Sequence, residues 1–177
     1  MATQEKIVAY WLCSVEPARS DLTTIIEELA ARFDAPVFEP HVTLYVTDAA
    51  GENPDAVLER FSSGRTSHRL TIRGLDYSEK FTKTLFIQFE PDAGLDQLSA
   101  DLRRASAVQN DYELNPHLSL IYKEMNEKTK RELAHDIVLP FQEILFDSIK
   151  AVISPAQIES KEDVEAWRIV AEKRLTR

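Results

Sequence analysis

Apolar and polar positions alternate in a way that divides the chain into short strands and amphipathic helices. Ile7 to Ser14 reads as an opening strand, after which Leu22, Ile25, Ile26, Leu29 and Phe33 recur at helical spacing, predicting a helix that begins near Ser20 or Asp21. A run of β-formers from His41 to Val46 follows. Asn53-Pro54-Asp55, a capping residue with proline in the first turn, opens a short helix to about Phe61. Strands are expected from His68 to Tyr77 and from Lys83 to Phe89, where Leu85, Ile87 and Phe89 alternate with Phe86, Gln88 and Glu90. The second half echoes this order. Leu95, Leu98, Leu102 and Ala105 mark a helix, a second β-rich run covers His117 to Tyr122, and Asn126 caps a helix reaching about His135. Closing strands are expected near Ile144 to Ser154 and Glu165 to Lys173, with Trp167, Ile169 and Ala171 on one half-buried face.

These elements describe an α+β fold. The echo between halves implies two lobes related by a pseudo-two-fold axis, each a small antiparallel sheet with helices outside and a cleft between them. With 177 residues, 44% of them hydrophobic, the chain can bury a core as a single bilobal domain, 1–177.

The chemistry is concentrated in a repeat. Pro40-His41-Val42-Thr43-Leu44 and Pro116-His117-Leu118-Ser119-Leu120 share one pattern and hold two of the four histidines. Side chains alternate across a strand, so His41 and Thr43 point one way while Val42 and Leu44 point the other. His117 and Ser119 share a face in the same manner. Each copy therefore buries an aliphatic row and presents an imidazole and a hydroxyl about 6.5 Å apart. Two such pairs would surround a phosphate with two hydroxyl donors and two imidazoles. By the same parity Tyr45 shares the His41 face, whereas Tyr122 reaches the cleft only if its strand ends or bulges first. A lone histidine such as His68 or His135 is more simply a hydrogen-bonded structural group, but packing alone does not require the alternation twice. Zinc is the weaker reading, since two histidines fall short of its usual ligand set, Cys13 is the only cysteine, and HExxH and CxxC spacings are absent.

Charge narrows the partners. Acidic residues outnumber basic ones 30 to 21, a net charge of −9, which disfavours a long nucleic acid. The basic series Arg60, Arg65, Arg69, Arg73 is interrupted by polar residues and reads as solvated surface. A single cysteine excludes an internal disulfide, no signal segment is recognised at Met1 to Lys6, and no apolar stretch approaches the roughly 18 residues of a membrane span. A cytoplasmic monomer is expected.

The paired motifs, Tyr10-Trp11 in the opening strand, Val37-Phe38-Glu39 before the first motif and Trp167 near the end resemble the two-histidine (2H) phosphoesterase superfamily. The likeness is to its cyclic phosphodiesterase branch, whose members open ADP-ribose 1″,2″-cyclic phosphate and nucleoside 2′,3′-cyclic phosphates. The resemblance implies a catalytic tetrad of His41, Thr43, His117 and Ser119, with Tyr122 and Trp11 near the substrate; Tyr45 and Lys83 are further substrate-binding candidates. It implies acid-base hydrolysis with neither metal nor cofactor, and on resemblance alone His117 is the base and His41 the acid. One departure stands out: Phe81-Thr82-Lys83-Thr84-Leu85 replaces an aromatic-rich run of the branch. Cleavage of 2′,5′-linked oligonucleotides, processing of RNA ends with a 2′,3′-cyclic phosphate, a non-catalytic module that binds a cyclic nucleotide, and a purely structural interaction protein are the alternatives.

Overall fold

A computed structural model describes residues 5–177. Residues 1–4, on which the absence of a signal segment partly rests, lie outside the described residues. Strand β1 (Lys6–Ser14) runs antiparallel to β2 (His41–Asp48), with helix α1 (Ala18–Phe33) between them in sequence. Helix α2 (Pro54–Ser62) leads to β3 (His68–Tyr77), a single 3-10 turn over Phe81–Lys83, and β4 (Leu85–Phe89). Helix α3 (Ala93–Ala105), β5 (His117–Ile121), helix α4 (Glu127–Asp136), β6 (Glu143–Pro155), the short helix α5 (Lys161–Glu165) and β7 (Arg168–Arg174) complete the order.

The strands form one seven-stranded sheet in the order β1-β2-β5-β4-β3-β6-β7, and β6 also pairs with β1. The α+β class and the two lobes follow from this ladder. β2, β1, β6 and β7 make one lobe and β5, β4 and β3 the other; they join where β2 meets β5 and where the start of β6 meets β3. Each histidine strand lies beside the other, and the helices cross over. α1, which leads into β2, packs on β5, while α3, which precedes β5, packs on β2. Leu22, Ile26 and Leu29 from α1 and Leu95, Leu98 and Leu102 from α3 thereby bury Val42, Leu44, Leu118 and Leu120 in one continuous cluster. Each such side chain contributes about 1.5–3 kcal/mol by leaving water.

Three boundaries differ from the sequence pattern, each for a local reason. α1 starts earlier, at Ala18, because the Glu16 carboxylate accepts from the Ser20 amide at 3.2 Å and its hydroxyl at 2.6 Å. β4 begins at Leu85 because the Thr84 hydroxyl donates back to the Phe81 carbonyl at 2.9 Å, closing the turn over Phe81–Lys83. Glu165 ends a helix instead of opening a strand: Ser160 and Asp163 form a reciprocal capping box that nucleates α5. Trp167 therefore sits between α5 and β7, outside the strand alternation.

Candidate active site

β2 and β5 pair antiparallel with Val42 opposite Leu118, the central residues of the two motifs. The pseudo-two-fold axis passes through that pair. Antiparallel register then sets His41 across from Ser119 and Thr43 across from His117, so the two imidazoles lie on one diagonal and the two hydroxyls on the other. All four side chains line one cavity of about 260 Å³. A cavity of about 350 Å³ behind the segment from Ser78 to Thr84 contains neither histidine.

A bulge follows each motif. Trp11 pairs with Thr43 and Tyr10 with Tyr45, leaving Leu44 as an extra residue. Phe86 pairs with Ser119 and Leu85 with Ile121, leaving Leu120 as its counterpart. An extra residue reverses the parity of whatever follows. This corrects the placement of Tyr45, which faces the core, is fully buried, and donates its hydroxyl to the Val108 carbonyl at 3.0 Å. The same reversal brings Val46 and Tyr122 to the cleft, where both line the cavity.

The histidines are held identically. His41 Nδ1 lies 2.7 Å from the Glu39 carbonyl and His117 Nδ1 lies 2.7 Å from the Asn115 carbonyl. A carbonyl only accepts, so each Nδ1 carries the hydrogen and each Nε2 keeps the lone pair. The proline before each histidine has no N–H, and it restricts Glu39 and Asn115 to extended backbone, which aims those carbonyls. Burial pushes the His41 pKa down to about 3, assisted by His117 and resisted by the Glu39 carbonyl. Burial also pushes His117 down to about 4, against the Asn115 carbonyl and with the help of Lys83 and Lys80. His117 keeps part of its surface at the cleft mouth, so its shift is the softer of the two.

The hydroxyls are less alike. Ser119 Oγ donates to the Thr82 carbonyl at 2.9 Å, whereas Thr43 makes no side-chain hydrogen bond among the described residues. The walls differ more. Trp11 lies flat on His41, with ring centres 3.7 Å apart and planes 11° from parallel; Trp167 meets Trp11 edge-on at 5.1 Å and His41 at 5.9 Å. His117 has only the edge of Phe86, at 5.5 Å. Tyr122 is buried beside Phe38, its ring centre 4.3 Å away, and burial raises its phenol pKa against the pull of the Ser119 hydroxyl.

The structure thus brings His41, Thr43, His117, Ser119, Trp11 and Tyr122 together, leaves Tyr45 in the core, and places Lys83 outside the cavity wall, where it donates to Asn115 Oδ1. Sequence reasoning overlooked Val46, Thr82, Tyr112 and Trp167 as lining residues. Val46 and Tyr112 carried no signal of their own; Trp167 did, since it had already stood out in the closing segment. No cluster of three or more histidine, cysteine, aspartate or glutamate residues that could hold a metal occurs among the described residues. No helix there is long and apolar enough to cross a membrane.

Two histidine strands paired about their motif centres, each imidazole fixed by a carbonyl two residues back, define a 2H phosphoesterase, and residues 15–153 match the 2′-5′ RNA ligase superfamily, to which the chain belongs. It is 20% identical over 172 residues to the cyclic phosphodiesterase of Arabidopsis thaliana, across 95% of this chain and 94% of that protein. Its fold is similar to E. coli LigT in apo form, with a TM-score of 0.62, 15% identity and coverage of 99% of this chain and 100% of that one. It is similar also to TT0787 of Thermus thermophilus, with a TM-score of 0.60, 17% identity and coverage of 96% and 97%.

Proposed function

We propose that this protein is a metal-independent cyclic phosphodiesterase that opens a small cyclic phosphate, ADP-ribose 1″,2″-cyclic phosphate or a nucleoside 2′,3′-cyclic phosphate, to a phosphomonoester. The observation that carries this reading is the diagonal pair of imidazoles, each with Nδ1 occupied by a backbone carbonyl and Nε2 left to work in the cleft. The similarity to a cyclic phosphodiesterase supports it, as does LigT, a fold relative that has been crystallised with 3′-AMP.

Ring opening needs a water activated on one side of phosphorus and a proton delivered to the departing sugar oxygen on the other. His117 Nε2 takes the proton from water, and His41, entering as imidazolium, gives its Nε2 proton to the leaving oxygen. Burial opposes imidazolium at both sites, and a bound phosphodiester anion favours it at both. Burial alone disfavours imidazolium more at His41 than at His117, and the charged and aromatic neighbours act in the opposite sense, supporting His41 as the acid. The Trp11 face at 3.7 Å stabilises a cation at His41 by about 0.5–2 kcal/mol, while Lys83 and Lys80 oppose one at His117. Thr43 donates to one non-bridging oxygen directly; Ser119 donates to the other once its hydrogen turns from the Thr82 carbonyl.

Phosphorus NMR of the protein with each cyclic phosphate tests the reading and identifies the bond broken. Hydrolysis is expected to persist after treatment with a strong chelator. His41→Ala and His117→Ala are each expected to lower turnover by roughly 10²–10⁴. Undiminished hydrolysis by either variant, or a loss on chelation that zinc restores, would overturn the mechanism. Turnover of a 2′,5′-linked oligonucleotide or a cyclic-ended RNA in place of the small substrates would reassign the substrate, and tight binding with no turnover would indicate a sensor.

A further inference from the structure

The tetrad is nearly symmetric, but the ground on either side of it is not. Indole rings enclose His41, whereas His117 is approached by lysines from the turn before β4. Lys83 Nζ donates to Asn115 Oδ1 at 3.2 Å, and the backbone carbonyl of the same asparagine holds His117. That ammonium also stands 4.3 Å from the centre of the Phe86 ring, the ring whose edge meets His117 at 5.5 Å. Lys80 flanks the same turn, and the charges of both lysines reach His117.

Acidic residues outnumber basic ones in this chain, yet only five of its nine lysines are paired with a carboxylate among the described residues. Lys128, Lys130, Lys150, Lys161 and Lys173 each hold a carboxylate. Lys83 and Lys80 pair with none among the described residues, and Asp76 acts on Lys83 only through space. Burial and Lys80 together hold the Lys83 pKa below the ordinary lysine range against the pull of Asp76, so like charges are kept close with no directly paired anion. Such an arrangement is costly in the empty protein and favourable once a second anion arrives.

We propose that Lys83, with Lys80, forms a second anion subsite at the His117 rim of the cleft, which selects cyclic phosphodiesters bearing a further phosphate or pyrophosphate over those carrying a single negative charge. The proposal rests on the cleft being the cyclic phosphate site. It gives the substrate a direction: the nucleobase lies against the indole side by His41, and the additional phosphate lies toward the lysines by His117. Lys83 is here a specificity-determining residue, not a participant in bond breaking.

The test is calorimetric and independent of turnover. Adenosine 3′-phosphate and adenosine 3′,5′-bisphosphate are titrated into the wild-type protein, Lys83→Met, Lys83→Arg and Lys128→Met, the last removing an equal charge from the exposed face of α4. Wild type is expected to prefer the bisphosphate about tenfold. Lys83→Met should abolish that preference, and Lys83→Arg and Lys128→Met should retain it. Adenosine 3′-phosphate 5′-diphosphate distinguishes pyrophosphate from phosphate as the preferred group. Equal binding of the first two ligands by wild type, or a preference that survives Lys83→Met or vanishes in Lys128→Met, overturns the subsite. Hydrolysis of adenosine 2′,3′-cyclic phosphate, followed in the same samples, tests the underlying reading separately.

Discussion

His41 and His117 both rest as neutral imidazoles near pH 7, because burial holds them at about 3 and about 4. On the proposed roles, the productive free form has His41 protonated and His117 neutral, and is therefore most populated in acid and declines as pH rises. A bound phosphodiester reverses part of that shift by favouring imidazolium. It follows that kcat/KM, which reports the free protein, should fall from acid toward neutral pH, while the kcat bell should lie at higher pH. Measuring both profiles checks this, and coincident curves would contradict it. The convergence of His41, Thr43, His117 and Ser119 on one cavity was legible because one imidazole-hydroxyl alternation occurs twice. The anchoring carbonyls were not, although the proline before each histidine was a clue: a hydrogen bond to a residue two positions back depends on backbone angles that side-chain patterning does not encode.

Among the elements, the paired bulges at Leu44 and Leu120 carry most of what parity reasoning missed. Alternation correctly ordered His41, Thr43, His117 and Ser119, then failed one residue later in both strands. Nothing in Val42 to Val46 distinguishes a bulged leucine from a regular one, since Leu44 and Tyr45 are both apolar enough to be buried. Tyr45→Phe should accordingly cost about 1 kcal/mol of stability, through the lost bond to the Val108 carbonyl, and leave kcat unaltered. Thermal unfolding beside steady-state kinetics decides it; a reduced kcat with unchanged stability would return Tyr45 to the cleft. Helix α5 was legible and overlooked, its Ser160 and Asp163 forming a capping signature that lost out to the apparent alternation around Trp167.

For the molecule as a whole, the depressed histidines couple stability to pH. The unfolded chain binds protons at His41 and His117 near pH 6.5 and the folded chain only at lower pH, so stability rises with pH across that window and is lost as pH falls from about 6.5 toward 4. The melting temperature should drop over this interval, and a His41→Asn, His117→Asn double variant should flatten the drop. An unchanged slope would mean that the histidines are not the cause. The two-lobe plan was readable from the echo of elements, but the exchange of helices between lobes was not, because each helix presents the same apolar stripe wherever it docks. That exchange has a consequence for any attempt to divide the polypeptide. A fragment ending after β2 would carry α1 without the strand it covers and leave its own motif strand bare on the inner side. Neither moiety is a self-sufficient folding unit; two fragments would have to associate, each roofing the other, before either histidine acquired its setting.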